Sequence, residues 1–243
     1  MISCLLTRLK SIHNFLSENL FYPIALSTFL AAVFFVGRIY WSQKIEFRFL
    51  VWNLFLAWLP YLFSLGIALF HKLRPKWWVI LIAPGSLWLL FLPNAFYIVT
   101  DFIHLEFSDR IPMWYDAGLL TITAWAGIFL AVASLYIAQK VVHSYVGKIW
   151  GWMFSLVVIG LSGYGVYLGR FLDWNSWDIL YEPLEILSDT LAPLIHPRSS
   201  KEIIVFIMMY TSLFLVTYLA FSWLLHLHHS PADVQDTKEE VHN

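Results

Sequence analysis

Six apolar runs, each long enough to cross a lipid bilayer as a helix, constrain this chain more than any other feature. They fall near residues 20–38, 48–70, 77–99, 116–138, 149–169 and 202–225. About 20 helical residues, rising 1.5 Å each, cross a hydrocarbon core roughly 30 Å thick. Inside lipid every backbone N–H and C=O needs a partner within the chain, which leaves helices or closed barrels. The runs are continuous rather than alternating, so they predict helices. The expected fold is all-α: a polytopic transmembrane helical bundle of about six spanning helices. Composition agrees, with 60% hydrophobic and 13% charged residues against about 25% charged in soluble domains. The implied partner is the lipid bilayer and the implied location a cell membrane. A net charge of −1 leaves no electrostatic footprint for nucleic acid. The single cysteine, Cys4, excludes an internal disulfide and a zinc-finger framework.

Three regions are expected. In residues 1–19, Ile2, Leu5, Leu6, Leu9, Ile12 and Leu16 recur at helical spacing around Arg8 and Lys10, which reads as an amphipathic helix on a leaflet or as a basic terminus. Residues 20–225 form the transmembrane domain. The first run has no small-residue cleavage frame and reads as a retained helix rather than a signal peptide. Within this domain, residues near 170–200 form an outer interfacial segment, with an amphipathic helix over 181–197. Residues 226–243 are a polar tail. His226, His228 and His229 cluster at its start and read as interfacial polarity before they read as metal ligands. Lysine and arginine divide almost evenly between the two sides. The short loops 71–76 and 139–148 are basic and free of acids, whereas 100–115 and 170–201 are acidic, so the N-terminus is expected in the cytoplasm.

Prolines and glycines mark particular helices. Pro60, Pro84 and Pro93 each remove a backbone donor from a run, and Pro93-Asn94 is expected to break the third helix. Gly165 and Gly169 are four apart, a spacing that lets helices approach closely.

Polar residues gather where runs three and five leave the membrane and run four enters it, so all three segments share one membrane face. Asp101 and His104 are three apart and fall on one helical face, where an acid and an imidazole can share a proton or bind a metal. Asp116 opens run four, either as a site acid or as a complement to the helix dipole. From run five come Arg170, Asp173, Trp174, Asn175, Trp177 and Asp178. Arg170 can hold a phosphate or carboxylate by two parallel hydrogen bonds, and Trp174 and Trp177 can stack on a sugar or anchor in the interface. Asp173-x-Asn175 lacks the glycine and fifth ligand of an EF-hand loop, which excludes calcium binding of that type. There is no P-loop, nucleophile elbow or His-Glu-x-x-His motif. The expectation is that Asp101, His104, Asp116, Arg170 and Asp173 converge in one pocket, with Arg170 pairing one or two of the acids.

The segment Leu92-Pro93-Asn94-Ala95-x-Tyr97-Ile98-x-Thr100-Asp101-x-Ile103-His104-Leu105 resembles the signature of the uncharacterised bacterial membrane proteins called domain of unknown function 1361. Pro112-x-Trp114-Tyr115-Asp116 and Tyr167-Leu168-Gly169-Arg170-Phe171-x-x-Trp174-Asn175-Ser176-Trp177-Asp178 are similar to its other two signatures. Phe96 stands where a proline is common. The resemblance implies a polytopic membrane protein and supplies no activity.

Three functional readings follow. One is a polar site at one membrane face that binds or processes a lipid-linked or anionic envelope substrate. Asp101, His104, Asp116 and Asp173 would be its acid/base or metal groups, and Asn94, Arg170, Trp174, Asn175, Trp177 and Asp178 its binding groups. The second is a transporter or channel component, although the run centres carry few ionisable groups beyond the amide of Asn53. The third is a structural or partner-binding subunit. Cofactor, metal and protein partners are not specified by any motif.

Overall fold

The protein is described by a computed structural model over residues 2–105, 110–195 and 201–228. Its helices are α1 (Ile2–Glu18), α2 (Phe21–Ser42), α3 (Arg48–Leu73), α4 (Ile82–Tyr97), α5 (Met113–Val146), α6 (Lys148–Phe171), α7 (Pro183–Ile195) and α8 (Lys201–His228). Short 3-10 helices precede α4 (Trp78–Leu81), extend it (Ile98–His104) and follow α6 (Asp178–Leu180). No strand occurs among the described residues. Among the described residues, six segments are long and apolar enough to cross a membrane: α2, α3, Trp78–His104, α5, α6 and Lys201–Leu225 of α8. The expected tail over 229–243, His229 included, lies outside the described residues, as do the side chains of His226 and His228.

The 34-residue α5 is the axis. Its span is 67% buried, against 11% for α8 at the rim, and α2, α3, α4, α6 and α8 all pack on it. Its sequence explains the position. Ala124, Ala126, Gly127, Ala131, Ala133, Ser134 and Ala138 are all buried, and small residues let neighbouring backbones come close where lipid gives no hydrophobic drive between helices. A Cβ on Gly127 would stand 2.5 Å from the Ala95 carbonyl oxygen of α4. Trp88 Nε1 donates to Ser134 Oγ at 2.7 Å, Tyr218 of α8 donates to Gln139, and Phe96 stacks on Phe214 with centroids 4.6 Å apart.

The helix ends differ from the expected ones in three places. α2 runs through Arg38 to Ser42 because Arg38 finds an ion partner inside the protein. The polar break at 139–148 shrinks to Gly147, whose φ of +89° suits glycine. Lys140 stays helical with its ammonium over the Tyr136 ring. Pro84 lies in the first turn of α4, where proline is tolerated. Pro93 does not break the third helix. α4 continues to Tyr97 and then tightens into 3-10 geometry through His104.

α6 lies against α4 along its glycines. A Cβ on Gly165 would meet Pro93 Cγ at 2.6 Å, and one on Gly169 would touch the Tyr97 ring at 3.4 Å. The smooth face of α6 therefore receives the part of α4 that the proline makes bulky, and this contact carries Arg170 to the 3-10 extension.

Candidate functional site

Asp101 and His104 lie on the 3-10 extension, where side chains three apart eclipse. Asp101 is 1% exposed and His104 is exposed, one turn nearer the end of the bundle. Arg170, in the last turn of α6, reaches both. Its Nη1 donates to Tyr97 Oη at 3.0 Å and stands 3.8 Å from Asp101 Oδ1. Its Nη2 is 3.3 Å from His104 Nε2. Arginine only donates, so a hydrogen bond between the two requires Nε2 to accept. The ring packs on Phe49, centroids 4.6 Å apart. Asp101 Oδ2 accepts from Asn53 Nδ2 of α3 at 2.9 Å, while its buried Oδ1 has no hydrogen-bond partner.

Asp116 is placed differently. Its arginine is Arg38, not Arg170. Arg38 Nε donates to Asp116 Oδ1 at 2.7 Å and its Nη2 to Oδ2 at 3.0 Å, a bidentate pair in which both residues are 1% exposed. Arg38 Nη2 also donates to Glu46 Oε2 at 3.1 Å, and its guanidinium lies 4.3 Å above the Phe47 ring. The Arg38 hydrogen bond holds the Glu46 carboxyl below the usual carboxylate range, with Lys44 assisting. The five groups expected in one pocket thus separate: Asp173 stands apart at the cavity rim, and His104 and the other acids divide between two arginines. Arg170 gathers Asp101 and His104, and Arg38 gathers Asp116 and Glu46.

Residues after α6 turn back onto the bundle. Asp173 adopts φ of +54°, and the chain folds inward until Ser176 Oγ donates to the Leu90 carbonyl at 2.9 Å and accepts from Asn94 Nδ2 at 2.9 Å. Asn94 is therefore tied to the loop, not left at a helix break. Asp178 Oδ2 closes a local turn by accepting from the Asn175 backbone at 2.7 Å and side chain at 3.1 Å. Trp174 Nε1 donates to Asp189 of α7 at 2.9 Å, and Trp177 meets Trp52 edge-on.

Between α3, α4, α6 and this loop lies a cavity of about 700 Å³. Leu56, Leu87, Leu89, Leu90, Leu161 and Leu168 line its depth. Asn53, Asn94, Tyr97, Asp173, Asn175 and Ser176 form its polar end, beside Trp52 and Trp174. Asn53 and Tyr97 have two roles, since each lines the cavity and each holds one member of the Asp101–Arg170 pair. Asp173 is exposed at the rim. No group of three or more histidine, cysteine, aspartate or glutamate residues able to hold a metal occurs among the described residues.

Comparison with known families follows the same segments. The family model described as a protein of unknown function (DUF1361) matches residues 52–217, more than half of the chain. The chain belongs to that family. No curated protein and no solved structure matches it. The DUF1361 match covers Asn53, the 3-10 extension, Asp116 and the loop after α6, but begins after Arg38. Sequence reasoning ended the first run at Arg38 and took Tyr97 only as part of a signature. The available signal for Arg38 was its position within one turn of the end of an apolar run, too deep for a loop residue.

Proposed function

We propose that the protein binds an amphiphile with a hydroxyl-rich head, a glycolipid or lipid-linked sugar, in the cavity between α3, α4 and α6. The observation that carries this is the division of the cavity wall: leucines along its depth, and carboxamide, phenol, hydroxyl and carboxylate groups beside tryptophan at one end. Sugar hydroxyls donate and accept, so they pair with asparagine, serine and aspartate, and a sugar's apolar face stacks on an indole. Charge argues against an anionic head, which Arg170 alone would suggest. Its guanidinium already faces Asp101, and a phosphate at the polar end would also meet Asp173, whereas hydroxyls satisfy both.

In this reading Asp173 touches the head. Asp101 and His104 act through Arg170, which keeps Tyr97 in place, and Asp116 is the anchor of Arg38. The polar end faces away from the cytoplasm and the N-terminus lies inside, because Lys72, Arg74, Lys76, Lys140 and Lys148 belong to the opposite end of the bundle.

The test is native mass spectrometry of the protein released from nanodiscs doped equally with a glycosyl diacylglycerol, phosphatidylglycerol and plain diacylglycerol. The glycolipid should be retained preferentially. Trp52→Ala should reduce retention about ten-fold, the loss of one stacking contact worth roughly 1.4 kcal/mol. Preferential retention of phosphatidylglycerol, or equal retention of all three, overturns the reading.

A further inference from the structure

A second cavity, of about 650 Å³, lies at the other end of α4, against α3, α5 and α6. Its wall is almost wholly apolar: Leu81, Ile82, Trp88, Val141, Val142 and Phe154 among others. Ser86 and Leu89 line this cavity and the first one alike. They are three apart, hence on one face of α4, so the two cavities adjoin at this turn. The far ends of the combined groove are Tyr97 in the first cavity and Trp78 in the second. That length of helix and 3-10 turn rises about 30 Å, the full hydrocarbon thickness of a bilayer rather than the roughly 15 Å of one leaflet. Ile82 and Leu87 on the groove's edge are 56% and 45% exposed, so the groove is open sideways, where lipid chains lie.

We infer that the ligand's tail is a single hydrocarbon chain longer than one leaflet, seated along α4 from the polar end to Trp78. This rests on the reading above for the head and adds the class of tail. The occupant follows from continuity and length. A tail entering the first cavity leads directly into the second, and an ordinary acyl chain, matched to one leaflet, leaves the second cavity out of its reach. The second cavity has no charged lining residue, so it suits a tail and not a head.

Gly85 makes the inference testable. It lines the second cavity, and a Cβ added there meets nothing within 4 Å, so a side chain at this position starts from open space and Gly85→Phe is the first variant. Val142→Trp, on the facing α5 wall, is the second variant. The probes are farnesyl β-glucoside, a short tail, and solanesyl β-glucoside, long enough to cross both leaflets, with solanesol as the headless control, all doped into nanodiscs and read by native mass spectrometry. A tail moving from lipid to groove gains packing but no hydrophobic transfer, so the expected preference is moderate. Wild type should retain the solanesyl glucoside about ten-fold over the farnesyl glucoside. Both variants should abolish that preference and leave farnesyl glucoside retention unchanged. Equal retention of the two glucosides by the wild type, or a preference surviving in both variants, overturns the inference. Equal retention of solanesol and its glucoside would instead overturn the reading of the head and leave the tail standing.

Discussion

Removing one partner of the Arg38–Asp116 pair is the sharpest test of how this bundle is held. Asp116→Asn keeps the shape of the side chain and removes its charge. Arg38 then remains 1% exposed with half-exposed Glu46 beside it, and its Nη1 already has no hydrogen bond. Breaking a buried ion pair from one side costs about 3–5 kcal/mol, because the surviving charge cannot recover its hydration. The two short bonds at 2.7 and 3.0 Å place this pair at the upper end, and Glu46 retains part of the compensation, so a loss of about 3 kcal/mol is expected. Unfolding in mixed micelles followed by tryptophan fluorescence measures it directly. The double variant Arg38→Met/Asp116→Leu should be more stable than Asp116→Asn, since it leaves no buried charge. A loss below about 0.5 kcal/mol for Asp116→Asn, or a double variant worse than the single, would refute the account.

The pH dependence of stability should contain a contribution from Glu46. Its folded pKa is depressed, so its contribution is fully present above the usual carboxylate range and is lost as pH falls through the lowered folded value. Glu46→Gln should flatten the stability profile in that acidic window and leave the profile near neutrality parallel to wild type. Gly165→Leu should destabilise by about 1–3 kcal/mol through overpacking against Pro93, read as a lower midpoint of unfolding in detergent, and wild-type stability would contradict the α4–α6 contact. Arg170→Gln strands Asp101 with Asn53 and should cost about 2 kcal/mol, and adding Asp101→Asn should restore part of that loss. Reporters inserted after Lys76 and after Tyr181 should report opposite sides of the membrane, and matching sides would contradict six spans.

How much was legible without coordinates depends on which physical constraint was at work. The bilayer imposes length and apolarity on a span, so six helices can be read from the run lengths alone, and the ends of runs three, four and five can be assigned to one face by counting. Where a helix stops was less legible. Arg38 and Lys140 remain helical because each finds a partner on another turn or another helix, whereas polarity alone marks both as loop. The pairings were legible only in part: Arg170 was expected to take one or two of the acids and it faces Asp101, but which acid goes to which arginine was not. Arg38 and Asp116 are 78 residues apart, Asn53 and Asp101 48, and Ser176 and Leu90 86. Sequence places several arginines and several acids at one end of the bundle, and Coulomb attraction does not distinguish among them. The choice was made by packing. Proline on α4 and glycine on α6 set the approach that delivers Arg170 to Tyr97 and Asp101, and the small residues of α5 draw in α2 with Arg38. The cavity was likewise invisible, because it is formed by the loop after α6 turning inward, and the direction of a loop is decided by the carbonyl and amide it meets rather than by its own residues.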